Sequence, residues 1–188
     1  MGKRASETVH VLLGGGIDSS ALIPFYLSLN FKVIGVHFDY GQPSSAGERR
    51  AIKALMKHYH IDSRMVDFGF RMNVRRGEVR CRNALLLLSA ASMLKESRML
   101  ISMGIHSGTR FYDCSVPFVE TVQGLLDGYF GGSVRFDAPF VKFTKGGVYR
   151  YCQQLRVPLE LTFSCERRSN LPCGRCPSCQ DRLSLYEH

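Results

Sequence analysis

Two rhythms of apolar residues alternate along the chain. Short apolar or β-branched runs occur at 8–13 (TVHVLL), 31–38 (FKVIGVHF), 63–70 (SRMVDFGF), 98–105 (RMLISMGI) and 134–140 (VRFDAPF). Each has the length of a strand, and the near-continuous apolar character of 31–38 marks a strand buried on both faces. Between them lie segments with helical spacing at 18–29, 47–60, 83–96, 118–129 and 145–155. The second of these carries Ala51, Ala54, Leu55 and Tyr59 on one side. The first opens on an Asp/Ser cap and contains Pro24 about two turns in, where a kink or strain is predicted. Strands alternating with helices of this length predict an α/β fold, a parallel sheet with helices on both faces. No internal repeat or low-complexity tract interrupts the pattern. Beyond Pro158 the composition changes to Cys, Pro, Gly and Arg, which divides the chain into a main domain at 1–160 and a small segment at 161–188.

Composition narrows the class. The 188 residues are 45% hydrophobic and 22% charged, values of an ordinary globular protein rather than a disordered one. The longest apolar run, 84–93, is far short of the ~20 residues of a membrane span. No apolar stretch precedes Val9, so no signal peptide is expected and the cytoplasm is the expected location. The net charge of +9 comes mostly from arginine, with eighteen Arg against seven Lys. Five arginines fall in RMNVRRGEVRCR (71–82). That stretch reads either as a solvated loop or as an electropositive rim for a nucleotide, an RNA or an acidic protein surface.

The sharpest local feature is LLGGGIDSSALI (12–23), where three glycines follow the first strand and Asp18, Ser19 and Ser20 open the first helix. In an open parallel sheet this loop is the usual ligand site, at the positive end of the helix. A dinucleotide fingerprint needs a third glycine where Ser19 stands, and a γ-phosphate-binding loop needs a lysine that is missing. A pyrophosphate-wrapping loop of pattern Ser-Gly-Gly-x-Asp-Ser matches everywhere except its first position, held here by Gly14. Glycine amides close on phosphate oxygens, and Asp18 suits such a loop only when Mg²⁺ mediates. A plain strand-to-helix turn is the competing reading.

Seven cysteines without a secretion signal argue against disulfides. Four of them, Cys165, Cys173, Cys176 and Cys179, crowd into the tail with seven, two and two intervening residues. This spacing suits a closed tetrathiolate zinc site with a structural role, iron–sulfur being the rival. A segment this small then folds because the metal binds it. Cys81, Cys114 and Cys152 are scattered and read as small apolar residues.

Taken together, GGGIDSS (14–20), FDYGQ (38–42), VRCRN (79–83), YDC (112–114), TK (144–145), PLELTFSC (158–165) and CGRCPSCQDR (173–182) resemble the 7-cyano-7-deazaguanine synthase (QueC) family of PP-loop ATP pyrophosphatases. GIHSGT and YDCS look closer to a branch that accompanies antiviral defence genes. The resemblance implies a Rossmann-like, adenine nucleotide alpha hydrolase-like sheet with a small zinc-binding C-terminal segment. It implies an enzyme that spends ATP to adenylate the carboxylate of 7-carboxy-7-deazaguanine, releasing pyrophosphate. Ammonia then gives the amide, and a second activation gives the nitrile. Leu13, Gly14, Gly15, Gly16, Asp18, Ser19, Ser20, Asp39, Tyr40, Gln42, Gly104 and Lys145 would bind ATP and Mg²⁺. Arg82, Asn83, His106 and Asp113 would meet the substrate, and Asp18, Ser19, Arg82, Asn83 and Lys145 would take part in the chemistry. The four tail cysteines would hold Zn²⁺, and a homodimer is expected.

Four departures from the family pattern stand out. Gly14 replaces the first serine of the loop, and Arg80 stands where a proline is usual. GIHSGTRFYDC (104–114) is shorter than usual, and Ser115 replaces an arginine for which Arg110 could substitute. They cluster on the nucleobase and nucleophile side. The resemblance therefore implies carboxylate activation with a weak nitrile-forming step, and with room for a larger amine, including one on a partner protein. A tRNA-modifying enzyme of the same loop class and a nucleotide-binding protein that has lost catalysis are the alternatives.

Overall fold

Five strands pair in the order β3-β2-β1-β4-β5, every pair parallel: β1 (Thr8–Leu12), β2 (Lys32–Asp39), β3 (Asp62–Asp67), β4 (Met99–Met103) and β5 (Val134–Asp137). The computed structural model describes residues 7–72, 79–93, 96, 98–167 and 171–186. Residues 73–78 of the arginine-rich stretch, and with them Arg75 and Arg76, lie outside the described residues. The connections are α1 (Ile17–Ser28), α2 (Ser45–Tyr59), α3 (Arg82–Met93) and α4 (Val116–Phe130), followed by α5 (Lys145–Gln154) after β5 and α6 (Pro177–Tyr186) in the tail. The strand order reverses between β1 and β4, which opens a crevice at the carboxyl edge of β1.

The sheet has a core on each face. Leu87, Ala90 and Ala91 of α3 with Phe118, Val122 and Leu126 of α4 cover Leu12, Phe38, Ile101 and Met103. On the other face Ile23 and Tyr26 of α1, Ile52 and Leu55 of α2, and Val148 and Cys152 of α5 cover Val9, Val11 and Val33. Burial on both faces explains the unbroken apolar character of the inner strands. The result is the Rossmann-like α/β architecture that the alternation predicts.

One local expectation is corrected. The residue preceding the first turn of α1 is Gly16, in an extended conformation and without a side-chain cap, so the predicted Asp/Ser cap is absent. The hydroxyls of Ser19 and Ser20 instead donate back to the Gly16 carbonyl, at 3.3 and 2.7 Å. Pro24 lies inside the helix, which runs on to Ser28. The tail also contains a regular helix, α6, that its composition conceals. No helix among the described residues is long and apolar enough to cross a membrane.

One buried polar link ties helix to sheet. The Tyr26 hydroxyl donates to Asp137 Oδ2 at 2.6 Å and lies 2.9 Å from Ser102 Oγ, so α1, β4 and β5 meet at one oxygen. Burial and the neighbouring Asp137 carboxylate push the Tyr26 hydroxyl pKa well above its usual value. Tyr26→Phe should cost about 1–3 kcal/mol, because it strands the partly covered carboxylate without its donor. Urea denaturation at neutral pH measures this, and a loss below about 0.5 kcal/mol would show that the link is idle.

Candidate active site

Leu13 to Gly16 leave β1 at the reversal of strand order. The Leu13 amide donates to Val36 O at 2.8 Å, and its carbonyl is 2.9 Å from His37 Nδ1. Gly15 has φ +73, and a Cβ there would lie 3.2 Å from both Glu48 O and Ala51 Cβ, so both conformation and space demand glycine. Its carbonyl accepts from Phe163 N at 2.8 Å. With that oxygen turned to the tail and no side chain capping α1, the first amides of the helix face the crevice without a capping side chain, where an anion is favoured. The Gly14 amide is 3.3 Å from Ser19 Oγ. A Cβ at Gly14 would meet nothing within 4 Å, so the family's serine would fit.

Asp18 stands in the first turn of α1. Its side chain is 26% exposed, but Oδ1 is covered and has no hydrogen-bond partner. Oδ2 lies 3.8 Å from His106 Nε2. Burial pushes this carboxyl pKa up, only partly offset by His106 and Lys145. A covered carboxylate oxygen lacking a donor suits a cation, so Asp18 fits Mg²⁺. Gly104 closes the back of this corner: a Cβ on it would come within 2.5 Å of the Asp18 carbonyl.

The loop after β2 is held together by its own acids and amides. The Asp39 carboxylate accepts from Gly41 N at 2.9 Å, from the Ser45 hydroxyl, and from Arg49 Nε and Nη2 at 3.2 and 3.1 Å. Burial opposes the charge, but these donors hold the carboxyl pKa below its ordinary value. Arg49 also bridges to Asp67. Gln42 is buried. Its carbonyl oxygen accepts from Tyr40 N at 2.9 Å, and its amide donates to Phe38 O at 3.2 Å and Glu48 Oε2 at 2.7 Å. Asp39 and Gln42 thus shape the loop with groups that the resemblance assigns to nucleotide. The Tyr40 hydroxyl is raised in pKa by burial and bonds to Arg82.

Arg82 and Asn83 open α3. The buried Asn83 donates to Asp113 O at 3.1 Å and accepts from Arg82 Nε at 3.2 Å. It thereby fixes the short helical turn Tyr112–Cys114 that carries Asp113. Ser115 caps α4, accepting from Phe118 N at 3.3 Å and donating to Tyr112 O at 2.7 Å. Lys145, the first residue of α5, reaches Asp181 Oδ2 of α6 at 3.1 Å. The structure therefore brings every site residue predicted from the sequence, apart from the tail cysteines, to one edge of the sheet. Glu48, Phe163 and Asp181 escaped notice there. Glu48 and Phe163 act on residues far away in sequence, and Asp181 is one acid among exposed charges.

The sulfur atoms of Cys165, Cys173, Cys176 and Cys179 lie within 4.8 Å of one another. Tetrahedral zinc with bonds of about 2.3 Å needs sulfurs a little under 4 Å apart, and Cys173 and Cys179 are 4.0 Å apart. The amides of Arg175 and Cys176 point at Cys173 Sγ and bring its thiol to about 6. Burial pushes Cys179 up to about 12. The donor set fits a divalent metal. This cluster packs on Ala51 and Phe163, and the Phe163 ring lies against Gly47, where a Cβ would sit 2.3 Å from it.

Sheet order and crevice define a Rossmann-like α/β protein. Solved structures share this fold: a predicted subunit of tRNA methyltransferase from Methanocaldococcus jannaschii (TM-score 0.51, 14% identity, 78% of this chain and 74% of that one) and the NH3-dependent NAD synthetase of Campylobacter jejuni (TM-score 0.50, 16% identity, 85% and 68%). The model of the family described as queuosine biosynthesis protein QueC matches residues 8–188, and the chain belongs to that family. Among relatives named 7-cyano-7-deazaguanine synthase, that of Methanoculleus marisnigri is 30% identical over 203 residues, covering 93% of this chain and 91% of its own. That of Campylobacter fetus is 26% identical over 202 residues, covering 94% and 91%.

A carboxyl whose pKa is raised by folding contributes stability below its unfolded pKa and loses it as pH rises through the folded one. Asp18→Asn should therefore melt above the parent protein at pH 7 by about 2–4 °C, measured without metal or nucleotide. The gap should close near pH 4, and ATP-dependent pyrophosphate release should be abolished. A variant less stable at neutral pH would refute the burial cost.

Proposed function

We propose that the chain is an ATP-dependent carbon–nitrogen ligase acting on 7-carboxy-7-deazaguanine. The carboxylate attacks the α-phosphorus of ATP, pyrophosphate leaves, and a nitrogen nucleophile displaces AMP from the adenylate. The observation that carries this reading is the set of uncapped amides at α1 beside the partnerless oxygen of Asp18. That corner binds a departing pyrophosphate rather than a transferable γ-phosphate. Mg²⁺ bound there would neutralise charge as it builds on the pyrophosphate. Gly15, Gly16 and Ser19 supply donors to the phosphates, Lys145 a cation, and Asn83 holds Asp113 and Arg82 where the base and its carboxylate would lie. Such an enzyme works in the cytoplasm, where ATP and reduced thiols coexist.

A finer reading is favoured by Ser115. Its hydroxyl is spent on capping α4 and on Tyr112 O, so the position that carries arginine in the family offers no cation to the base. The amide, or an adduct on an amine of a partner protein, is then the main product, and the nitrile a minor one. Incubation with ATP, Mg²⁺ and 7-carboxy-7-deazaguanine, with and without ammonium, should give AMP and pyrophosphate and an accumulating amide by mass. ADP and orthophosphate would sink the reading, and rapid conversion to the nitrile would sink its finer part.

Zn²⁺ is the metal that fits the four cysteines, and its role is structural, because all four positions around it are thiolates. One zinc per chain is expected by elemental analysis. Since the cluster rests on Phe163 and Phe163 holds Gly15, Cys176→Ser should weaken nucleotide binding at least ~10-fold, measured by calorimetry, although no cysteine touches the loop. Unchanged affinity in a metal-free, folded protein would separate the two sites.

A further inference from the structure

A cleft of about 280 Å³ opens beside the Asp18 corner, lined by His106, Gly108, Thr109, Lys145, Asp181, Ser184 and Leu185. Three of these residues come from α6, so the cysteine segment builds one wall of the site. Asp181 is the only carboxylate in the lining. It is 57% exposed and pairs with Lys145, which also acts on the Asp18 carboxyl. Electrostatic interaction reaches across the cleft, for Asp181 adds to the upward push on the Asp18 carboxyl while Lys145 and His106 oppose it.

We propose that Asp181 binds the nitrogen nucleophile as a cation and that this cleft is its entry site. The inference rests on the ligase reading above. Ammonia and primary amines are protonated near pH 7, whereas attack needs the neutral form. A site for them needs an anion to attract the cation and an open route for the proton to water. Asp181 meets both needs: it carries charge, and its exposure leaves the proton a path to solvent. Lys145 is shared between this carboxylate and the phosphate corner, so a pyrophosphate arriving at the glycine loop competes for the same ammonium. As Lys145 turns toward the phosphates, the Asp181 carboxylate is freed for an incoming cation. Adenylation thus prepares the nucleophile site.

The step balances without further reactants. The bound cation loses one proton to water, its nitrogen pair forms the C–N bond, and the C–O bond to AMP breaks with AMP taking the pair. A second proton then leaves the new amide nitrogen. The cleft is several times the ~30 Å³ of a water-sized ammonium, and Leu185 gives it an apolar side, so substituted amines fit as well as ammonia.

Asp181→Asn in the full-length protein tests the assignment with two assays. Carboxylate-dependent exchange of labelled pyrophosphate into ATP reports adenylation alone, and amide formation reports capture of the amine. The variant should keep exchange within about two-fold while its KM for ammonium rises about ten-fold or more, with turnover recovered at high ammonium. Asp181→Glu should restore much of the loss. Methylamine and a short peptide with a free amino terminus, run in parallel, identify which amine the cleft takes. A raised KM for ATP with an unchanged KM for ammonium would overturn the proposal, leaving Asp181 as a holder of Lys145. Equal KM values in parent and variant would overturn it too. Absence of exchange in the parent protein would instead overturn the ligase reading.

Discussion

A single hydrogen bond, from the Phe163 amide to the Gly15 carbonyl, orients the peptide on which the site depends. Gly15 sits in a left-handed conformation with no space for a side chain, and its oxygen must point somewhere. Pointing it at the tail leaves the following amides aimed at the crevice. Were that oxygen turned inward, a carbonyl would face the phosphates in place of a donor. The bond is modest in energy, about 1 kcal/mol, but the Phe163 ring wedged on Gly47 and the cysteine cluster behind it give it a fixed position.

The rest of the site follows from what the crevice lacks. An ordinary helix satisfies its first amides with a side-chain cap, and α1 does not; an ordinary covered carboxylate finds a protein donor, and Asp18 Oδ1 does not. Both are deficits in the protein alone, and both are complementary to a magnesium–pyrophosphate unit. Close contacts elsewhere make the deficits permanent. Gly104 lets β4 approach the first turn of α1, and the Glu48 carboxylate gathers Ser44 and Gln42 beneath the glycine loop.

Most of the fold was legible in the sequence because burial on both sheet faces writes unbroken apolar runs, and every strand predicted from such a run is present. Helix α6 was hidden by the cysteines before and within it, which serve the metal cluster, and by Pro177, which is tolerated at a first helical position. The α1 cap was misread because Asp18 and Ser19 look like capping residues but lie inside the first turn. Among site residues, those in contiguous motifs could be named from the chain. Their actual partners could not: Asn83 meets Asp113, Lys145 meets Asp181, and Asp39 meets Arg49, contacts that only the folded chain creates. Gln42 shows the limit of a motif, since it marks the loop correctly while its side chain is consumed in building it.

The Phe163–Gly15 contact also sets an order of events in synthesis. Gly15 leaves the ribosome early, in a segment whose strand already has local partners, whereas Phe163 emerges only after the five strands have been made. A nascent chain can therefore assemble most of the sheet while its glycine loop is still free to turn either way. The Gly15 carbonyl gains its partner only when the tail folds back. A chain ended upstream of Phe163 would lack the donor that fixes the Gly15 carbonyl.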